Sequence, residues 1–350
     1  FRKMSVVRSD IAFDKFGGSL YFIIMHCNSL LSLASTLFAC FLIFKKSPRE
    51  IGNYKYYLFN ITCCSFLFDI YMTFIYAPLT LFPAMVMCAK GVLEPFGWIG
   101  GVAGFYLFLT FFGTCSMSVI TAFIYRLFLL RNKVELMKTC KWFLFLAFIH
   151  LFYFSPTLIV YSFSITNRTA IDEAIVKRYP NIKPYYINKS CTATAFETSP
   201  FSFYFMAMCC VQFGLTIPIA GFLISKCFKT LKSQKVYMTE KTFRLHKQLI
   251  LSLIFQLIVP FSTLFIPFTL MALFVFLEVP NITWIYQGLM LVGTIHSFCN
   301  TLMMTVMVKP YRNTVANFVR GRGFRNHNSS DTHAFPGSVS PNIGNNGVYM

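Results

Sequence analysis

Seven long stretches of the chain carry almost no charge, and each ends at basic or turn-forming residues. They cover 16–44, 56–87, 95–124, 142–163, 199–225, 248–277 and 279–308. Each is longer than the roughly 20 apolar residues a helix needs to cross the hydrocarbon of a bilayer. Leu, Ile and Phe dominate them without period-2 alternation, which argues against a membrane β-barrel. The pattern predicts an all-α membrane protein, a seven-helix bundle spanning about 19–44, 56–82, 97–124, 142–163, 200–225, 248–276 and 283–308. The first run exceeds a signal-peptide core and lacks a small-residue cleavage pattern, so it reads as a retained helix. Beyond the last run, Tyr311, Val315, Phe318 and Val319 share one helical face, flanked by Arg312 and Arg320. That face predicts a short helix over 309–322 lying on the membrane surface. Residues 323–350, rich in Gly, Asn, Ser and Pro, read as a disordered tail.

Composition narrows the class. Of 350 residues 56% are hydrophobic and 12% charged, about half the charged fraction of a soluble domain. Lys and Arg number 31 against 12 Asp and Glu, a net charge of +19. The basic residues cluster between apolar runs, a membrane-topology pattern that leaves nucleic-acid binding without support. Seven spans put the termini on opposite sides. The connections at 45–55, 126–141 and 226–247 with the tail hold 21 Lys and Arg, and the other side holds 10. The richer side is expected inside, which places residues 1–18 and the N-terminus outside and the C-terminus inside. Arg2, Lys3, Arg8 and Lys15 ahead of the first span weigh against it.

The side chains point to signalling sooner than to catalysis. There is no Walker loop, no His-Glu-x-x-His and no Gly-x-Ser-x-Gly, so no enzyme activity, cofactor or metal is expected. Ten of the 12 cysteines fall within or at the ends of apolar runs; Cys88 and Cys191 alone lie in polar loops on the outer side. A bridge between them is favoured over two free thiols. Asn167-Arg-Thr169 and Asn188-Lys-Ser190 are glycosylation acceptors on the same side, and Asn281 is a poorer one close to a span. Asp69 sits mid-span, where ionisation is expensive and polar partners are needed. Two readings stand together: a polar switch with His296, Ser297 and Asn300, able to take an ion, or a hydrogen-bonded packing group. His26, His150 and His296 read first as neutral imidazoles bonded to backbone carbonyls.

Pro156, Pro218, Pro260 and Pro267 interrupt predicted helices, and Pro260 is placed to hinge the sixth. Gly97-x-x-x-Gly101 and Gly100-x-x-x-Gly104 suggest close helix contact. The 43 Phe residues read as lipid-facing or packing groups, with no ligand box among them. At the inner ends, Tyr125-Arg126 and the loop with Lys226, Lys229, Lys241 and Arg244 form a candidate docking surface for a cytoplasmic partner, or simply set topology and attract anionic lipid.

The chain resembles the nematode serpentine chemoreceptors of the Str superfamily, nearest to classes h and i. Lys55-Tyr-Tyr-Leu58, Asp69, Pro78-Leu-Thr-Leu-Phe-Pro83 and His246-Lys-Gln-Leu249 carry the likeness. Gln256 with Pro260 and Pro267, then His296-Ser297 and Lys309-Pro-Tyr-Arg312, complete it over residues 20 to 320. Residues 84–91 keep only the final Gly of the family's usual stretch, and no acidic residue precedes Arg126. The resemblance implies a chemosensory G-protein-coupled receptor of a ciliary plasma membrane. Its implied partners are a small odorant or pheromone, a heterotrimeric G protein and membrane lipid. The alternatives are a ligand-gated channel of inverted topology and a small transporter. An epitope placed after Met350 should stain only permeabilised cells, while glycosidase should shift a band that Asn167→Gln and Asn188→Gln each lighten. Staining of intact cells would refute the orientation.

Overall fold

A computed structural model describes residues 17–47, 51–82, 84–277, 279 and 282–320. The expected outer segment, the tail and Asn281 lie almost wholly outside these residues. Helix α1 covers Gly17–Lys45, α2 Tyr54–Ile70, α3 Gly97–Leu130, α4 Cys140–Ser164 and α7 Pro200–Ser233. A sixth span joins α8, Glu240–Pro260, to α9, Ile266–Leu277, through a π-helical turn at Phe261–Phe265. Six helical stretches are thus long and apolar enough to cross a membrane. The seventh span is a broken pair, α10 at Thr283–Gly293 and α11 at His296–Met307, bent by 46°. Helix α12, Lys309–Val319, follows at once and turns Tyr311 inward, where its hydroxyl meets Ser47 Oγ at 2.6 Å.

The second apolar run behaves differently from its expected span. Helix α2 widens into a π-turn at Tyr71–Ile75 and then stops, with Ala77 at a φ of 43°. Pro78, which has no N–H to continue the ladder, follows. The remaining apolar residues form a hairpin of β1, Pro78–Thr80, and β2, Val86–Ala89. An apolar run does not by itself distinguish a helix from a buried strand. The loop after α4 is also structured, into α5, Arg168–Arg178, α6, Lys183–Tyr186, and β3, Cys191–Ala193. The three strands pair antiparallel in the order β1-β2-β3, with Cys88 directly opposite Cys191 and bridged to it. Ile171, Ile175, Tyr179, Ile182 and Tyr186 pack on this sheet as a cap with its own small core. Tyr186 donates to Asp172 and Arg178 pairs with Glu197, tying the cap's elements to one another.

Below the cap the bundle has two further cores. The cap-side core gathers Met25, Phe68, Tyr71, Phe108, Phe112, Met271 and Met290. The far core, around the basic connections, gathers Tyr54, Leu58, Phe123, Leu231, Leu249, Leu253 and Tyr311. Helix α4 turns Phe143, Leu144, Phe148, Leu151, Phe152 and Phe163 outward, as the lipid-facing helix of a membrane bundle does.

The glycine pairs of α3 serve the cap sooner than a neighbouring helix. A Cβ on Gly101 would stand 2.6 Å from the Cys191 carbonyl carbon, and one on Gly104 would stand 2.4 Å from the Tyr76 ring. Gly97 has no such neighbour and takes a φ of 56°. The strand β3 therefore rides on bare α3 backbone. Gly101→Ala should lower the melting temperature of the receptor in nanodiscs by several degrees, an overpacking penalty of about 1–3 kcal/mol. Gly221→Ala, whose Cβ meets nothing within 4 Å, should not.

Candidate functional site

Three features lie along the bundle in series: a cavity under the cap, a polar cluster at mid-depth and a sealed arginine at the far end. The cavity has a volume of about 320 Å³. Its roof is the hairpin and β3, through Thr80, Ala84–Met87 and Thr192–Thr194, and its walls come from α3, α4, α7, α9 and α10. Phe105, Phe108, Phe112, Phe205, Phe265 and Phe268 line it, with Tyr153, Tyr161 and Tyr286. Several of these rings pack edge-on or tilted, Phe108 to Phe268 at 5.2 Å and Phe112 to Phe268 at 5.6 Å between centroids. These six phenylalanines, expected to face lipid or pack, instead line a cavity. Phe105, Phe108 and Phe112 recur at helical spacing on α3, but only the neighbouring helices determine that this stripe faces a void.

Polar groups in the wall are largely satisfied by one another. Thr157 donates to Gln212 Oε1 at 2.8 Å, and Gln212 donates to the Tyr153 carbonyl. The Tyr161 and Thr192 hydroxyls meet, joining α4 to the roof. No described lining residue is ionisable to a carboxylate, ammonium or guanidinium.

At mid-depth Asp69 is wholly buried, and its Oδ2 accepts from Ser32 Oγ and from the Ser297 backbone N–H, both at 2.7 Å. Ser297 is the second residue of α11, so the carboxyl caps the helix that begins after the break in span seven. Freed N–H groups and the positive end of the helix dipole favour an acceptor there. Ser297 Oγ also meets Thr36 Oγ1 at 3.1 Å. His296 bonds two hydroxyls, Ser65 through Nε2 and Thr263 through Nδ1, each at 3.2 Å, in place of the expected backbone carbonyl. Asn300 donates to Ser65 at 3.1 Å. Spans one, two, six and seven are thus joined by one cluster. Asp69 and Ser297 touch directly, whereas His296 and Asn300 join through Ser65. His150 does bond a carbonyl, that of Leu146, at 2.8 Å.

At the far end Arg126 is buried, its guanidinium 3.6 Å from the centre of the Tyr54 ring. Its Nη1 lies 3.5 Å from His246 Nδ1 on α8. Tyr125 stacks on Tyr57 at 4.2 Å. Lys226, Lys229 and Arg244 are exposed, with Arg244 paired to Glu240 at 2.9 Å, so they do not join Arg126 in one surface. The side chain of Lys241 is outside the described ones. Asn167 caps α5, accepting from the Ala170 N–H at 3.3 Å, and Asn188 is exposed. Among the described residues no three His, Cys, Asp or Glu side chains come together as a metal site.

The model of the serpentine type 7TM GPCR chemoreceptor family Srh matches residues 18–321. The chain belongs to the Srh chemoreceptor family. Curated proteins yield no match. An Srh receptor is a multi-pass membrane protein of a non-enzymatic, chemosensory kind.

Sequence reasoning found Asp69, Ser297 and Arg126 but not Ser32, Ser65, Thr263 or Tyr54, which complete their surroundings. Serine and threonine are so common in membrane helices that nothing local marks these. In the Srh receptor, Asp69→Leu should cost about 2–4 kcal/mol, because Ser297 N–H and Ser32 lose their acceptor in a dry interior. Asp69→Asn, which keeps an acceptor, should stay within about 1 kcal/mol of the parent. Melting curves in nanodiscs check both, and equal losses would mean that the capping bond contributes little.

Proposed function

We propose that this Srh receptor binds a small molecule in the cavity beneath the cap and activates a heterotrimeric G protein at its far end. The reading places the N-terminus and the cap outside, the C-terminus and basic connections inside, and the protein in the plasma membrane of a sensory cilium. The 21-to-10 distribution of Lys and Arg supports that orientation. So does a disulfide within the cap, since bridges persist on the oxidising side.

One observation carries the mechanism: the sixth span touches all three features. Phe265, Phe268 and Met271 line the cavity, Thr263 bonds His296, and His246 covers Arg126. Between these lies the π-turn after Pro260, where the ladder is loosest. Phe68 adds a lateral link, packing on Phe112 of the cavity wall and on His296. Two bundle arrangements then differ in the tilt of α8. Ligand that packs better against a shifted α9 raises the population in which α8 has moved away. His246 leaves, Arg126 and Tyr125 are uncovered, and an α-subunit helix docks beside Lys226, Lys229, Lys241 and Arg244. The Asp69–His296–Ser297–Asn300 cluster is the switch that re-pairs between the two states. The basic face and α12 rest on anionic lipid.

Arg126→Met should abolish G-protein activation while surface expression and ligand binding stay within about twofold, a difference under 0.5 kcal/mol. His246→Ala, which uncovers the arginine, should raise basal activation. Normal signalling by Arg126→Met would remove Arg126 from the coupling surface.

A further inference from the structure

The cavity has a wall that is not closed. Cys210 and Gly214, one turn apart on α7, and Thr269 on α9 line the cavity and are also exposed on the outside of the bundle. Helix α7 packs on α3, α4 and α8, whereas α9 packs on α10 and the π-turn beside it. The two helices are thus not main packing partners of one another, and the cavity wall between them is made by these exposed residues, on a side of the bundle that faces lipid. The opposite approach is blocked. Over the cavity stand the hairpin and β3, tied by the Cys88–Cys191 bridge and covered in turn by the packed residues of α5 and α6.

We infer that the cavity takes a neutral, largely apolar molecule of about eight to fifteen non-hydrogen atoms, which reaches it from the bilayer through a gap between α7 and α9. This deepens the reading of the cavity as the ligand site and rests on it. Two independent observations agree on the missing charge. Among the described residues no charged side chain lines the cavity to pair with an ionised ligand, and an unpaired charge in such surroundings is strongly disfavoured. A molecule that arrives through hydrocarbon must also shed charge first. The wall's polar groups are mostly bonded to each other, Thr157 with Gln212 and Tyr161 with Thr192, so the ligand needs few polar atoms of its own. The tilted Phe105, Phe108 and Phe268 rings suit a planar or aromatic ligand.

Gly214 provides the test, because a Cβ there meets nothing within 4 Å and a large side chain can fill the gap without straining the fold. Gly221, two turns along the same helix, has equally open surroundings and does not line the cavity, so Gly221→Trp is the control. The full-length receptor in nanodiscs is titrated with matched probes: acetophenone and benzoate, heptanone and heptanoate, octanol and octylammonium. Binding is followed directly, with no G protein present. A neutral probe should bind about a hundredfold or more tightly than its ionised partner. Gly214→Trp should slow its association at least about tenfold with the melting temperature unchanged, and Gly221→Trp should change neither association nor melting temperature.

Tighter binding of an ionised probe overturns the inference, as does association unaffected by Gly214→Trp. So does a cavity filled by a lipid acyl chain that no probe displaces, or failure of every probe to bind at about 1 mM, the weak end of specific affinity. Coupling is tested separately through Arg126. A receptor that binds neutral probes without activating a G protein keeps the ligand class and loses the coupling reading. One that signals to benzoate or heptanoate does the reverse.

Discussion

The bond from the Ser297 backbone to the Asp69 carboxyl is the contact on which the rest of the bundle's organisation depends. Inside a bilayer every backbone N–H and C=O must find its partner within the protein. A helix that breaks in mid-membrane exposes groups that water would otherwise satisfy. Span seven breaks at Thr294–Ile295, and Asp69 of span two receives the N–H that the break releases at the start of α11. Thr294 meanwhile turns its hydroxyl back to the Leu291 carbonyl at 2.7 Å. The break is thereby tolerated, and span two and span seven are held in one register.

The same economy operates at the two π-turns. Thr73 Oγ1 donates to the Asp69 carbonyl at 2.7 Å, and Thr263 Oγ1 to the Val259 carbonyl at 2.8 Å. Both hydroxyls occupy turns where the regular ladder has slipped by one residue. Thr263 also holds His296, so the loosened part of span six is anchored to the broken part of span seven. Irregular backbone in spans six and seven thus meets at one depth, while the π-turn of span two lies nearer the cap, its Phe74 and Ile75 carbonyls accepting from the Val92 and Leu93 N–H groups. Above it lies the aromatic cavity and below it the tightly packed far core that encloses Arg126. A deformation starting at the cavity meets its softest path through these irregular turns, because the regular helices on either side transmit displacement as near-rigid rods.

The cap adds a different constraint. The sheet sits on α3 at glycines whose side-chain-free surface lets β3 approach the helix backbone, and Cys88–Cys191 closes a separation of 103 residues. Closing a loop of that length removes about 5 kcal/mol of unfolded-state freedom in the chain-entropy account. The cap therefore behaves as a fixed roof, and mobility is left to the spans beneath it. That division suits a receptor whose cavity must alter its shape without dissolving its boundary.

The sequence alone determined the solvent and the number of spans, since long uncharged runs have only one stable setting, and its motifs carried the likeness to serpentine receptors. It also marked Asp69, because one carboxylate in a membrane helix stands out against its neighbours, and it marked Cys88 and Cys191 by their polar surroundings. Only the tertiary structure decided where the second apolar run stops being helix, since Leu81, Phe82 and Val86 are as buried in the cap as they would be in a span. It alone showed that Phe105, Phe108 and Phe112 face a cavity and not a packed neighbour, and that Arg126 lies against Tyr54 away from the exposed lysines. A void is the space that several helices jointly fail to fill, and a sealed cation depends on a ring 72 residues earlier in the chain. Such relations are set by packing between distant segments, which no local pattern of residues encodes.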